Sequence, residues 1–372
     1  MLADNTTGIL ESNTTNSSSN SSVDIFELNE TPEAIIAPIV FLIIFVIGVA
    51  GNGTLIFTVV RNKSMRNVPN IFILSLAAGD LTLILVSVPC TSTIYTFTNW
   101  PYGVVMCKIN VFLQTMSLGV SVFTLVALAG DRFTAIVNPM RKHMGNPVAR
   151  TVVMATSIWV VSFLLAIPDA VSAHIFPARD KYGVIRLYLC NDFRQEWGSL
   201  YPKAHSIFRL LVYFIIPILV ISGFYAAIAN ILMRSSYQIP GEVSSQANHG
   251  KQIEARKKVA KVVLSLVVIF VICWLPRHIF VMWFHFDPGD YSDFWHAFKV
   301  FGFVMSYINS CVNPITLYFL SKQFRKYYNR YLFCCCAKRR SPVEGSTSMY
   351  NFNSTVRRTS TTMTMLPHSQ SV

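Results

Sequence analysis

Several carboxylate, amide and hydroxyl side chains lie within stretches of the chain that are otherwise apolar. Asp80 is the clearest case, in the middle of ILSLAAGDLTLIL. The polar side chains that could converge on it are Asn52, Ser121, Asn309, Ser310 and Asn313. Because oxygen ligands suit hard cations, this set predicts a site for a hydrated sodium ion. A purely structural network around a protonated Asp80 is the alternative.

An adjacent acid and base, Asp131 and Arg132, follow the apolar run FTLVALAG. Arg132 could pair with Asp131 in one state and turn into a neighbouring cavity in another, which would make the pair a two-state element. A simple anchor at the membrane interface is the alternative. An enzyme is not expected, because His278 has no suitably placed nucleophile or metal-ligating partner in the sequence.

The elements that position these groups are predicted from hydropathy. The 372 residues are 52% hydrophobic and 13% charged, whereas soluble domains carry about 25% charged residues. Stretches of about 20 apolar residues are long enough to cross a membrane, and lipid requires them to be helical. Seven occur, at 34–60, 70–97, 104–130, 149–171, 206–233, 259–285 and 297–320. The predicted fold is an all-α membrane protein, a seven-transmembrane helix bundle over residues 34–320.

Charge predicts the orientation of the bundle. Residues 1–33 contain acids but no Lys or Arg, and they hold Asn-x-Ser/Thr sites at Asn5, Asn13, Asn16, Asn20 and Asn29. Lys and Arg cluster between spans one and two, between spans five and six, and after span seven. By the positive-inside rule these segments are cytoplasmic, and a disordered, glycosylated N-terminus is extracellular. The apolar stretch from Ile35 lacks the basic leader of a signal peptide. The net charge of +13 indicates plasma-membrane topology and affinity for anionic lipid, not nucleic-acid binding.

The same topology assigns the cysteines and the C-terminal segment. Of the eight cysteines, Cys107 and Cys190 alone fall on the oxidising outer side, so they are predicted to form a disulfide. Residues 321–336 begin with SKQFRKYYNRYLF, a short amphipathic eighth helix. Palmitoylation is predicted at Cys334, Cys335 and Cys336, with an unmodified cluster as the alternative. Residues 337–372 are Ser/Thr-rich and predicted to be disordered. Phosphorylation there would create an acidic tract, and a passive tail is the alternative.

Eight motifs occur in order along the predicted spans. They are GN at 51–52, LAAGD at 76–80, Cys107, AGDRF at 129–133, Trp159, Pro217, CWLP at 273–276 and NPITLY at 313–318. This arrangement resembles the rhodopsin-like family of G-protein-coupled receptors over residues 35–335. Longer segments such as KQIEARKKVAKVV and NSCVNPITLYFLSKQFRK are similar to the bombesin-like peptide receptors, and within them to the arthropod CCHamide receptors.

The resemblance implies an activation pathway and a G-protein partner, with Gq and calcium release as the expected signal. The residues that it implicates are Asp131, Arg132, Tyr225, Phe270, Trp274, Pro276 as a hinge, Asn313, Pro314 and Tyr318. Three positions depart from the general receptor pattern. Phe133 follows Arg132, Leu317 stands at the usual tyrosine position, and Arg256 stands where many members have an acid. Because that acid would restrain Arg132, its absence predicts appreciable basal activity.

The resemblance also implies an extracellular amidated neuropeptide as ligand. The expected pocket comprises Gln114, Pro202, Trp274, Arg277, His278, Phe284, Lys299, Phe303 and Tyr307. Gln114 cannot pair with the ammonium of an amine, but it suits a peptide carboxamide; a packing amide is the alternative. Arg277 and His278 could also be packing or snorkelling groups. In the bombesin receptors, arginines occupy the positions of Phe284 and Phe303, so a bombesin-type peptide should bind poorly. Another peptide of the endothelin/bombesin neighbourhood is the alternative ligand. A transporter is disfavoured because no internal repeat appears.

Overall fold

The protein is described by a computed structural model that covers residues 33–97, 99–137, 146–179, 185–236, 243–287 and 289–332. Several predictions lie outside the described residues. They are the glycosylation sites of residues 1–33, the palmitoylation cluster Cys334–Cys336 and the tail 337–372. The side chain of Arg256 is also not described.

Within the described residues we distinguish eight helices, seven of the bundle and a shorter one after it, and number them α1–α8. Their bounds are Glu33–Arg61 for α1, Val68–Thr96 for α2, Gly103–Val137 for α3, Pro147–Ser172 for α4, Leu200–Leu210 with the π-helical Leu211–Ile215 and Ile216–Ser236 for α5, Val243–Phe286 for α6, Asp293–Leu320 for α7 and Lys322–Tyr331 for α8. Within the described ranges, seven of them are long and apolar enough to cross a membrane. The predicted seven-helix fold is confirmed.

Short polar residues begin several of these helices. The Asn67 carboxamide oxygen accepts a hydrogen bond from the Asn70 N–H at 3.1 Å. The Asn146 oxygen accepts from the N–H groups of Val148 and Ala149 at 3.1 and 3.2 Å. Capping of this kind satisfies N–H groups that have no partner within the helix. It explains why α2 and α4 begin directly after a short polar residue.

Three helices extend well beyond the hydropathy prediction, and one of them is α5, which begins at Leu200 and not near residue 206. α6 begins at Val243 instead of near residue 259, because KQIEARKKVAKVV continues the helix although it is too polar for lipid. α3 continues to Val137, so Asp131 and Arg132 lie inside the helix and not at its end. Hydropathy marks the part of a helix that suits lipid, and helices extend beyond it.

A β-hairpin between α4 and α5 was not predicted. It consists of β1, His174–Arg179, and β2, Ile185–Asn191, paired antiparallel with Ile175 opposite Cys190. Cys190 is bonded to Cys107 of α3, with 5.6 Å between the two Cα atoms, which confirms the predicted disulfide. Burial lowers the pKa of the neighbouring His174 imidazole. We call this side of the bundle the hairpin end and the opposite side the α8 end.

The bundle packs around α3. Leu118, Val122 and Leu125 of α3 contact a core that includes Phe214 of α5 and Phe270 of α6. At the α8 end, Phe324 and Tyr328 of α8 are buried at 3% exposure. The Tyr328 hydroxyl donates to the Gly51 carbonyl of α1 at 3.3 Å. The amphipathic segment therefore packs its aromatic face on the bundle.

Candidate functional site

Two cavities open between the helices at the hairpin end. The first, the α2–α7 cavity, is lined by Thr91, Ile94, Tyr95, Asn110, Val111, Gln114, Cys190, Asp192, Lys299 and Phe303. The second, the α5–α6 cavity, is lined by Leu118, Asp192, Phe193, Ser206, Arg209, Trp274, Arg277, His278 and Val281. Asp192 lines both. It follows β2 directly, so the hairpin places this carboxylate above the helices.

One face of α6 forms a wall of the α5–α6 cavity. Trp274, Arg277 and His278 follow one another at helical spacing, so their side chains share a face. The Arg277 guanidinium lies over the Phe303 ring at 4.2 Å and over the Trp274 ring at 5.8 Å. It also donates to the Ser306 hydroxyl at 3.3 Å. Phe303, which lines the α2–α7 cavity, therefore positions Arg277 at the wall of the α5–α6 cavity.

A buried charge cluster joins α4 and α5 beside this cavity. The Asp169 carboxylate of α4 accepts a hydrogen bond from Arg209 Nη1 at 3.4 Å and lies 3.5 Å from His205 Nε2. The side chains of Asp169, His205 and Arg209 are 4%, 7% and 15% exposed. A carboxylate buried to this degree needs such partners. The cluster therefore fixes Arg209 at the cavity wall.

The structure brings together six of the nine predicted pocket residues. Gln114, Lys299 and Phe303 line the α2–α7 cavity, whereas Trp274, Arg277 and His278 line the α5–α6 cavity. Pro202, Phe284 and Tyr307 line neither. The Tyr307 hydroxyl is 2.7 Å from the Thr91 hydroxyl and links α7 to α2 in the core. Phe284 stacks on Phe280, with ring centroids 5.8 Å apart, and the Pro202 carbonyl accepts the Ser206 hydroxyl at 2.7 Å.

Sequence reasoning missed Asp192, Arg209 and the partners of Arg209. The residues that lie on helices could have been found from the sequence, because an ionisable residue inside an apolar span is a functional hypothesis by default. Applied beyond Asp80, this rule selects Asp169 and Arg209. Asp192 had a weaker signal, its position two residues after a cysteine predicted to be bridged to α3.

The Asp80 cluster lies deeper in the bundle. Asp80 is fully buried, and its carboxylate accepts hydrogen bonds from Asn313 Nδ2 at 2.8 Å and Ser121 Oγ at 3.4 Å. Asn52 Nδ2 donates to the Ser310 carbonyl at 2.8 Å, while Asn52 Oδ1 is buried and has no partner within the described chain. Asn309 and Ser310 are 4% and 2% exposed. The structure therefore gathers five of these polar side chains, with buried Asn309 on the same helix as Ser310 and Asn313.

Polar contacts at the α8 end link neighbouring helices. Arg132, 5% exposed, is hydrogen-bonded to the Asp131 carboxylate. The Tyr225 hydroxyl of α5 donates to the Ala260 carbonyl of α6 at 2.8 Å. The Tyr318 hydroxyl donates to Asn329 Oδ1 of α8 at 3.1 Å, and Leu317 is buried in the core at 1% exposure. Tyr318 therefore turns to α8, and Leu317 takes the inward position.

The remaining residues of the expected activation pathway lie along α6 and α7. The Phe270 ring lies between those of Phe214 and Trp274, at 6.3 and 6.1 Å. Pro276 and Pro314 are both inside continuous helices. The rings of Trp274, Phe270 and Phe214 therefore pack as one group beneath the α5–α6 cavity.

A seven-helix membrane bundle with a disulfide-tethered hairpin above its cavities defines a class of receptors. The sequence model of the family described as 7 transmembrane receptor (rhodopsin family) matches residues 51–318, and the chain belongs to that family. It is therefore a receptor and not an enzyme.

A curated relative narrows the similarity. The chain is 44% identical, over 340 residues, to the Neuropeptide CCHamide-1 receptor of Drosophila melanogaster. The match covers 89% of this chain and 66% of the relative, so the chain spans a little less than two thirds of that protein's length.

Proposed function

We propose that the chain is a plasma-membrane receptor for an extracellular amidated neuropeptide of the CCHamide kind. In this proposal the N-terminus and the hairpin end face outwards, and a G protein of the Gq class binds at the α8 end. The proposal draws on the similarity to a receptor named for such a neuropeptide. It also draws on the cavities, which open at the end of the bundle opposite to α8, a helix rich in Lys and Arg.

The residues that line the α2–α7 cavity support a peptide with a C-terminal carboxamide as the ligand. Gln114 and Phe303 line this cavity together. A carboxamide side chain can both donate to and accept from the carboxamide at a peptide's C-terminus, and the ring offers aromatic surface. Asp192 and Lys299 also line this cavity, so it presents both an anion and a cation. The site therefore favours a neutral amide over an ammonium ion.

Ligand binding would act through the aromatic path of α6. A ligand shifts a conformational equilibrium only by its differential affinity for the two states. A peptide that contacts Trp274 would favour movement of Phe270, with Pro276 as the hinge of α6. Outward movement of α6 would separate Tyr225 from the Ala260 carbonyl and leave Arg132 free to meet the G protein. Arg132 is thus the residue that couples the two ends.

The Asp80 cluster is proposed to hold a sodium ion in the resting state. The residues fit such an ion, because one buried carboxylate lies beside hydroxyl oxygens and Asn52 Oδ1 is buried without a partner in the described chain. Asp80, Ser121 and Ser310 would supply oxygen ligands, as hard cations require. Asn309 and Asn313 would complete the polar wall. The bound ion would supply positive charge that stabilises the ionised carboxylate.

The proposals for the termini follow the sequence. Glycans would occupy the N-terminal sequons, and palmitoyl groups on Cys334–Cys336 would anchor the segment after α8. Receptor kinases would phosphorylate the tail and recruit arrestin.

A calcium dose–response experiment tests the ligand assignment. The receptor is expressed in cells and stimulated with the Drosophila CCHamide-1 peptide or with a bombesin-type peptide. We expect a potent response to the first and a weak response to the second. Phe303→Arg should lower the potency of the CCHamide peptide about tenfold, because it places a like charge against Arg277 and removes its stacking surface.

Phe284→Arg is the matched control, because Phe284 lines neither cavity. We expect it to change either potency much less than Phe303→Arg does. A potent bombesin response from the unmodified receptor would reject the assignment.

A further inference from the structure

Arg277 is a buried cation with an incomplete set of partners. Its side chain is 8% exposed. Its contacts are one hydrogen bond to the Ser306 hydroxyl at 3.3 Å and the faces of the Phe303 and Trp274 rings at 4.2 and 5.8 Å. A guanidinium has five N–H donors, so most of its donor capacity is left for another group.

The other buried arginines have carboxylate partners. Within the described residues, the ion pairs closer than 4.0 Å are Arg132–Asp131, His205–Asp169 and Arg209–Asp169. Arg277 is in none of them. An ion buried without a counter-ion is costly, and stacking on rings offsets only part of this cost. The protein therefore keeps an arginine without a close carboxylate partner at the wall of a cavity.

Two further nitrogens on the same face of α6 lack hydrogen-bond partners. Trp274 Nε1 and His278 Nε2 are buried and have no hydrogen-bond partner in the described part of the chain. Both residues line the α5–α6 cavity together with Arg277, and His278 is 7% exposed. An indole N–H can only donate, whereas an imidazole nitrogen donates or accepts according to its tautomer. Arg277 and Trp274 thus offer donors to one cavity in which the protein supplies too few acceptors.

The carboxylates near the cavity do not fill this role. Asp169 is already bonded to Arg209 and lies beside His205. Asp192 lines the cavity, but within the described chain it forms no ion pair closer than 4.0 Å. Of the charged residues that line the α5–α6 cavity, Arg209 is paired with Asp169, whereas Arg277 and Asp192 form no close ion pair within the described chain. Arg277 is therefore the cation of this cavity whose guanidinium is left for a ligand.

We propose that the α5–α6 cavity is a subsite for a carboxylate of the peptide ligand, bound by the Arg277 guanidinium beside the indole N–H of Trp274. This inference rests on the proposed function, since it assumes that a peptide enters the cavities. The amidated C-terminus would bind Gln114 in the α2–α7 cavity, and an acidic side chain would bind Arg277. Asp192, at the border of both, would repel that carboxylate and so limit its affinity.

A double-mutant cycle between receptor and ligand tests this assignment. The probes are the Drosophila CCHamide-1 peptide and analogues in which each carboxylate in turn is replaced by the corresponding amide. Competition binding is measured on cells that express the unmodified receptor, Arg277→Gln or Arg277→Lys. We expect Arg277→Gln to weaken binding of the unmodified peptide about tenfold or more. One analogue, which we call the critical analogue, should bind the unmodified receptor about as weakly as the unmodified peptide binds Arg277→Gln. Its affinity should fall little further on Arg277→Gln.

Two additional variants separate charge recognition from misfolding. Asp192→Asn should strengthen binding of the unmodified peptide and leave the critical analogue unchanged. Lys203→Gln removes a cation that stacks on Phe286 and lines neither cavity, so its affinity should stay near that of the unmodified receptor. Surface expression is measured for every variant, and retained binding of the critical analogue by Arg277→Gln shows that the variant is folded.

The carboxylate subsite would be overturned if Arg277→Gln left binding unaffected, or if it weakened every analogue as much as it weakens the unmodified peptide. Neither result would contradict the assignment of the chain as a peptide receptor. If the CCHamide peptide does not bind the unmodified receptor, that ligand assignment fails, and the cycle is run on peptides selected from a library. Hits that need a carboxylate only when Arg277 is present support the subsite. Hits indifferent to it, or no binding peptide at all, reject it.

Discussion

The two ends of the bundle differ in how their buried polar groups are satisfied. At the α8 end, Arg132 is paired with Asp131, and the Tyr225 hydroxyl is bonded to the Ala260 carbonyl; within the described chain, Arg132 Nε remains without a partner. At the hairpin end, Arg277 has no carboxylate within 4.0 Å among the described residues, and Trp274 Nε1 and His278 Nε2 have no hydrogen-bond partner among them.

This difference separates a surface prepared for a ligand from one held closed. Unfilled buried donors cost free energy, which a bound acceptor recovers. Filled contacts between helices must instead be broken before the helices can move apart. The hairpin end is therefore built to gain contacts on activation, and the α8 end to lose them.

The largest effect is expected at Asp169, a buried carboxylate of the hairpin end that already has its charged partners. Asp169→Ala leaves Arg209 and His205 without their carboxylate, which typically costs about 3–5 kcal/mol for a buried pair. We expect a marked fall in the thermal unfolding temperature of the solubilised receptor. Asp192→Ala is the control, because this carboxylate forms no close ion pair in the described chain. Equal losses from the two variants would contradict the distinction.

The disulfide is expected to have the next largest effect. Cys107→Ala or Cys190→Ala releases β2 from α3, and loss of such a crosslink typically costs about 2–4 kcal/mol. Surface expression and ligand binding should fall severely, because Cys190 lines the α2–α7 cavity and the bridge holds the hairpin against α3. Cys90→Ala is the control, since Cys90 is a buried free cysteine in the same cluster. Normal expression and binding by both single variants of the bridge would show that the hairpin end assembles without it.

The Asp80 cluster lies between the two ends and should report their coupling. If it holds sodium in the resting state, agonist affinity should fall as sodium rises, about fivefold or more. Asp80→Asn should remove this dependence, because it takes away the carboxylate that attracts the ion. Competition binding at several sodium concentrations, with potassium as the control salt, measures it. A sodium effect that persists in Asp80→Asn would reject the ion site.

The smallest effect is expected at the α8 end. Tyr225→Phe removes the hydroxyl that holds α6 to α5, a bond worth about 0.5–1.5 kcal/mol. Basal calcium signalling should therefore rise severalfold at matched surface expression. Tyr318→Phe is the control, because its hydroxyl bonds to Asn329 of α8 and not to α6. A larger rise from Tyr318→Phe would show that the α7–α8 contact, and not the α5–α6 contact, holds the closed state.

Much of the fold could be predicted, because membrane helices depend on properties that can be read locally. Lipid requires long apolar helices, so the seven spans followed from hydropathy alone. The order of the spans then left Cys107 and Cys190 on one side, and their bond was predicted correctly. The hairpin could not be predicted in this way, because pairing of β1 with β2 depends on contacts between separate strands and not on a periodic apolar pattern.

The candidate site was predicted by residue type and only partly by position. Gln114, Arg277, His278 and Phe303 do line the cavities, since the motifs place them on helical faces near one end. Phe284 and Tyr307 lie on the same helices but point elsewhere, because a small rotation about the helix axis decides whether a side chain meets a cavity or a neighbouring helix.

The sequence by itself determined which segments are helical, how many could cross a membrane and which cysteines pair, because these follow from composition and order along the chain. The tertiary structure alone decided the partners of the buried charges. It placed Asp169 against Arg209, Arg277 on the Phe303 ring and Tyr318 against Asn329. Such pairings depend on how separate helices are rotated and packed, and the free energy that selects them is shared over the whole bundle.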